Sequence, residues 1–228
     1  MTCLNIAHRG ASRDAPENTV EAFELAVEQG ANMIETDLHL TRDGQIALYH
    51  DNEVGGTPVG ELTLEEIVEQ LPQLPTLERL LDGFGDRIRF NLELKRPSPG
   101  AYPGLESKVL REIERRDLVD RTLFSCFFDP VLATLRGLSD RARIGLLISK
   151  RAPVEMEKRA RVLGAEAIHP EVSLVTPELV QSAHHRELKV NVYTVDEYDD
   201  QRRLLDMGVD GIFTNVPAQL RDLLADRA

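Results

Sequence analysis

A chain of 228 residues with 42% hydrophobic and 29% charged side chains can bury one large core, and α/β barrels of this length commonly form a single unit. The formal charge of −12, from 39 acidic against 27 basic side chains with no basic patch, argues against a nucleic-acid partner. No apolar run approaches the roughly 18 residues that span a bilayer, and the opening MTCLNIAHRG lacks the pattern of a secretory leader, so a cytoplasmic protein without stable membrane association is expected.

Short apolar strands alternate with amphipathic stretches along the chain. Strands are predicted at 4–9, 32–41, 45–50, 88–95, 122–127, 143–148, 166–170, 189–195 and 210–215. The second and third are joined by Arg42-Asp43-Gly44, a hairpin signal; counted as one position, they leave eight units. Helices are predicted at 18–29, 76–82, 104–116, 130–138, 154–163, 177–187, 197–207 and 217–225, the first with Asn18 and Glu21 as a capping box. Residues 51–75 are the least regular stretch, and no linker is long enough to divide the chain. The expected fold is a single (β/α)8 TIM barrel over 1–228, with a β-hairpin extension at strand 2. An open doubly wound sheet is disfavoured because no glycine-rich phosphate loop follows the first strand. Cys3 and Cys126 sit in apolar contexts and read as buried, reduced thiols.

Strand alternation puts Met33, Glu35 and Asp37 on one face and Ile34 and Thr36 on the other; Asn91, Glu93 and Lys95 oppose Phe90, Leu92 and Leu94. The apolar sets mark the helix-packed side, so the acids point into the barrel, at the strand ends where barrel enzymes keep their sites. Buried carboxylates cost several kcal/mol each, as an order of magnitude, unless compensated. Glu35, Asp37 and Glu93 therefore read as an oxygen site for one hard divalent cation, Mg2+ or Ca2+, with Mn2+ allowed. The alternative is an internal ion-pair network with Arg9 and Lys95. His8 and His50 fall at strand ends on the same rim and are candidate proton-transfer groups. His39, His169, His184 and His185 are left outside the site, although His169 ends its strand near the mouth.

The segments AHRGASRDAPENTVEAF (7–23), IETDLHLTRDGQIALYHD (34–51), NLELK (91–95) and VNVYTVDEYDDQRRLLDMGVDGIFTNVP (190–217) together resemble the glycerophosphodiester phosphodiesterase family. The resemblance implies a metal-dependent barrel enzyme that splits a small-molecule glycerophosphodiester into an alcohol and glycerol 3-phosphate. It implies His8 and His50 as catalytic histidines and Glu35, Asp37 and Glu93 as metal ligands. Arg9 and Lys95 would hold phosphate oxygens, and Tyr193 would form an aromatic wall where the family commonly has tryptophan. Tyr193 is smaller than that tryptophan and can donate a hydrogen bond. The loop after His50-Asp51 is shorter than the family pattern and lacks its arginine, and Asn215 replaces a frequent aspartate. Two other readings are a Schiff-base aldolase-type barrel using Lys95 and a non-catalytic glycerophosphodiester binder. The alcohol, the physiological ion and the oligomeric state are not written in the sequence.

Overall fold

The computed structural model describes residues 3–97 and 100–227. In chain order its first elements are β1 (Leu4–His8), α1 (Val20–Glu28), β2 (Met33–Leu40), β3 (Ile46–Leu48), β4 (Glu53–Val54), β5 (Thr57–Pro58), α2 (Leu64–Gln70), α3 (Leu77–Phe84) and β6 (Arg89–Leu94). From there strands and helices alternate: α4 (Leu105–Arg115), β7 (Thr122–Cys126), α5 (Asp129–Leu138), β8 (Arg143–Ile148), α6 (Met156–Val162), β9 (Ala167–Pro170), α7 (Pro177–His185), β10 (Lys189–Val192), α8 (Tyr198–Met207), β11 (Gly211–Thr214) and α9 (Pro217–Ala225). The parallel strands run β1-β2-β6-β7-β8-β9-β10-β11 and close through β11 onto β1, giving the expected eight-stranded barrel. β3 folds back antiparallel on the upper end of β2, pairing Leu38 with Leu48 and Leu40 with Ile46. Gly44 turns this hairpin with φ +76°, a conformation that favours glycine.

The outward strand residues Ile34, Leu38, Phe90 and Leu92 are fully buried under the helices with Leu80, Phe84 and Val109. Losing a ring such as Phe90 from this layer costs about 3–5 kcal/mol. Inside the barrel, Ile6, Met33 and Phe213 plug the lower half. The His169 imidazole lies on Phe213 with centroids 5.1 Å apart, and its Nε2 meets Asn191 Nδ2 at 3.1 Å. His169 is thus interior, walled off from solvent. A Cβ on Gly145 would stand 2.4 Å from its ring, so only glycine fits opposite it.

Two expectations need correction. Helix α1 is capped by Thr19, whose hydroxyl accepts from Ala22 N, and Asn18 is not the cap. Asn18 takes φ +55° and turns its amide inward. The 51–75 stretch is also more ordered than its composition suggests. It forms the β4–β5 hairpin and then α2, whose Thr63 and Glu66 make a reciprocal capping box. Ala47, Val54, Val59, Leu62 and Ile67 give this lobe its own small core. Cys3 and Cys126 are free and buried. Among the described residues no helix is long and apolar enough to cross a membrane.

Candidate active site

Strand register builds the site. His8 lies beside Glu35, Glu35 beside Asn91, and Asp37 beside Glu93; His8 ends β1 and Glu93 nearly ends β6, whereas Glu35 and Asp37 lie mid-strand because β2 runs on to Leu40 to pair with β3. Glu35, Asp37 and Glu93 each offer an oxygen within 4.8 Å of the others. His8, Arg9, Glu35, His50, Glu93, Lys95 and Tyr193 line one cavity of about 200 Å3, floored by Asn91 and Ser125 and walled by Phe127, Leu147 and Phe213. Asp37 lies just behind, 1% exposed. All eight residues singled out in the sequence therefore converge.

The turn after β1 makes this possible. Arg9 (φ +57°) and Gly10 (φ +87°) both adopt left-handed backbone, and a Cβ on Gly10 would strike Ala22 at 2.7 Å. The turn aims Arg9 N at Glu35 Oε2, 3.0 Å away. It also brings Asn18 over β2, where its Nδ2 donates to Asp37 Oδ2 at 3.1 Å and its Oδ1 accepts from Thr36 Oγ1 at 2.6 Å.

The charges are partly compensated. Arg9 Nε lies 3.2 Å from Asp37 Oδ2, and its Nη1 binds Glu17 at 2.9 Å. Lys95 Nζ meets Glu93 at 2.9 Å and Asp37 at 3.2 Å. The ion-pair network envisaged as the alternative is thus present, but it leaves Glu35 out. Glu35 is 3% exposed, and its ion-pair contact among the described residues is His8 Nε2 at 4.0 Å. Burial, then Asp37 and Glu93, push its carboxyl well above the usual range. Burial and Asp37 likewise raise Glu93. Asp37 behaves oppositely: burial alone would raise it, but Lys95 and Arg9 prevail and lower it. Lys95 is raised by Glu93 and Asp37 against the opposing effect of burial, so it stays charged. Asp37 Oδ1 is buried, with Lys95 Nζ at 3.2 Å as its cationic contact. A buried carboxylate that no arginine or lysine side chain pairs, within a cluster of three acids, fits a hard divalent cation.

The histidines differ. His8 Nδ1 lies 2.8 Å from Asn215 Oδ1, an oxygen that also accepts from Ser12 Oγ at 2.7 Å. Asn215 Nδ2 is spent on Asp196 Oδ2 at 2.7 Å, so the amide oxygen must face the ring and Nδ1 carries the proton. Burial and the Arg9 charge hold the His8 pKa down to about 4. His50 sits beyond the end of β3, more open, with Nδ1 2.8 Å from Asp51 Oδ1. Tyr193 does not offer its hydroxyl to the cavity: the group donates to Ile148 O at 2.9 Å, and the ring packs edge-on against Phe127 with centroids 5.9 Å apart.

A family model for the glycerophosphoryl diester phosphodiesterase family matches residues 8–219. The chain belongs to this family. It is 34% identical to a glycerophosphodiester phosphodiesterase of Caldanaerobacter subterraneus subsp. tengcongensis, with 98% of each chain aligned. It is 33% identical to one from Bacillus altitudinis, over 92% of this chain and 94% of that protein. The solved structure of an Oleispira antarctica phosphodiesterase in complex with the product sn-glycerol-3-phosphate matches with a TM-score of 0.85 at 26% identity, covering 97% of this chain and 96% of that one.

Within this glycerophosphodiester phosphodiesterase fold, the sequence reading overlooked three supporting groups. Asn18 ties the PENT segment to Asp37, and Ser12 and Asp196 fix the Asn215 amide. The PENT spacing carried a signal for Asn18. Asp196 comes from the loop after β10, where no periodicity marks it.

Proposed function

We propose that this chain, acting as one catalytic unit over 1–228, hydrolyses glycerophosphodiesters to glycerol 3-phosphate and an alcohol. The convergence of Glu35, Asp37 and Glu93 with two histidines on a single cavity carries the reading. A hard divalent cation, Mg2+ or Ca2+ with Mn2+ allowed, held by Glu35, Asp37 and Glu93, supplies Lewis-acid stabilisation of phosphoryl charge when bound.

His8 is the general base. Its proton is fixed on Nδ1, so the Nε2 lone pair is available, and a pKa near 4 keeps the ring neutral under ordinary conditions. The oxygen it deprotonates is either a water, which gives glycerol 3-phosphate directly, or the substrate's glycerol 2-hydroxyl, which expels the alcohol to leave a cyclic phosphate that a water then opens to glycerol 3-phosphate. His50, held through Nδ1 by Asp51, is the general acid that returns a proton to the departing alcohol. Arg9 and Lys95 hold the non-bridging oxygens as negative charge grows there. The Tyr193 ring provides an apolar wall for the glycerol carbons. The product seen in the Oleispira antarctica relative is the one this scheme generates. The Schiff-base alternative is weakened by Lys95 itself, because a lysine kept protonated by two carboxylates is a poor nucleophile.

The decisive experiment follows glycerol 3-phosphate release from a panel of glycerophosphodiesters, starting with glycerophosphocholine, in Mg2+, Ca2+ or Mn2+. Turnover abolished by EDTA and restored by added ion is expected. Binding without turnover in every ion would replace this reading with a non-catalytic binder.

A further inference from the structure

At the N-terminal end of the barrel, opposite the mouth, lies a second cavity of about 570 Å3. It is lined by Arg87, Arg89, Arg121 and Arg221 together with Asn5 and Asn32, and no acidic side chain is part of its wall. In a chain of net charge −12 such a gathering is unexpected. Two of the four arginines are engaged: Arg87 holds Glu24 at 2.7 Å, and Arg221 holds Asp222 at 2.7 Å. Arg89 and Arg121 make no ion pair among the described residues, and Arg121 Nε is buried without a hydrogen-bond acceptor.

The fold forces these two together. Phe90 pairs with Thr122, so Arg89 and Arg121 stand side by side at the starts of β6 and β7. Adjacent guanidinium groups repel each other, and a buried N–H without an acceptor costs about 1–3 kcal/mol. Both penalties vanish if an anion sits between them. The guanidinium fork matches the oxygens of a phosphate, which offers several acceptors and up to two negative charges. The chain's overall negative field repels a long polyanion such as RNA, whereas a cavity of this size suits a small molecule.

We propose that this cavity is a second anion site that binds a phosphate-bearing small molecule, either inorganic phosphate or a phosphomonoester, between Arg89 and Arg121. The site stands independently of the chemistry assigned to the mouth.

The test uses full-length protein without added metal, at constant ionic strength, titrated calorimetrically with inorganic phosphate and separately with glycerol 3-phosphate. To silence the mouth, where Arg9 and Lys95 both face the cavity, the titrations are run in Lys95→Gln carrying Arg9→Gln as well. Saturable binding of one anion is expected there, weakened about tenfold or more by adding Arg89→Gln and Arg121→Gln. Tighter binding of one ligand or the other identifies free phosphate or phosphomonoester as the source. Arg89→Gln alone, at an exposed side chain, provides the same reading should the double replacement fail to fold. In a chain with Arg9 and Lys95 intact, Arg89→Gln/Arg121→Gln should leave diester hydrolysis unchanged. Absence of saturable binding in Arg9→Gln/Lys95→Gln, or binding that survives the further loss of Arg89 and Arg121, would overturn the site.

Discussion

On β1, β2 and β6 the inward side chains near the mouth are His8, Glu35, Asp37 and Glu93; on β8 to β11 the inward set includes Gly145, His169, Asn191 and Phe213. The two halves handle buried ionisable groups by different means. The first half crowds carboxylates and answers them with Arg9 and Lys95, yet leaves Glu35 uncompensated. The second half buries one imidazole and keeps it neutral, with burial pushing His169 down to about 3. Charge is retained only where a ligand can answer it; elsewhere the interior is made neutral. The same barrel therefore presents a charged wall on one side and a neutral one on the other.

The largest effect expected from breaking this contrast is on rate. His8→Ala or His50→Ala should lower kcat by about two to four orders of magnitude. Either variant retaining full turnover would remove that histidine from the chemistry. Asn215→Leu acts one step back, deleting the acceptor that sets the His8 tautomer, and should cost about 10–100-fold. Asn215→Asp combined with Asp196→Asn restores the acceptor without setting two carboxylates face to face and should recover most of that loss, which a purely structural role for Asn215 would not predict.

Stability against pH sharpens the comparison because Glu35 in the first half and His169 in the second carry opposite signs. His169 has a folded value near 3, below its unfolded value of about 6.5, so the unfolded chain takes the proton first. Its contribution is complete above about pH 6.5 and is lost as pH falls toward 3. Glu35 is raised, so its contribution is complete below the unfolded value of about 4.3 and is lost as pH rises through the folded one. In chelator-treated protein, Glu35→Gln should raise the melting temperature at pH 7 by about 2–6 °C, while His169→Gln should flatten the acid limb. A lower melting temperature for Glu35→Gln under those conditions would mean that the carboxylate is already satisfied within the protein. The smallest effect is expected at Tyr193→Phe. This change removes a hydrogen bond to Ile148 O worth about 1 kcal/mol and should leave the rate within about twofold, because the hydroxyl is turned to that carbonyl and not to the cavity.

Much of this arrangement was legible in the chain. Period-two alternation in MIETD and FNLEL exposed the acids, because the intervening residues, Thr36 apart, are apolar. What escaped had no periodicity to betray it. Strands of two residues and a seven-residue helix in 51–75 are too short to show a repeat, although Thr63-x-x-Glu66 was a readable start signal. Asn18 looked like a helix cap because the left-handed turn that redirects it is a tertiary effect. Arg89 and Arg121 are 32 positions apart by number, and only strand register makes them neighbours.

The separate core of the β4–β5–α2 lobe has a kinetic consequence. A segment whose buried residues do not mesh with the main interior can open locally at a lower free energy than the whole domain needs. His50 lies at the junction with that lobe, whereas His8 ends a strand hydrogen-bonded on both sides. Amide exchange should therefore run ahead through residues 53–70, leaving His50 tethered to the breathing part of the molecule and His8 anchored to its most persistent one.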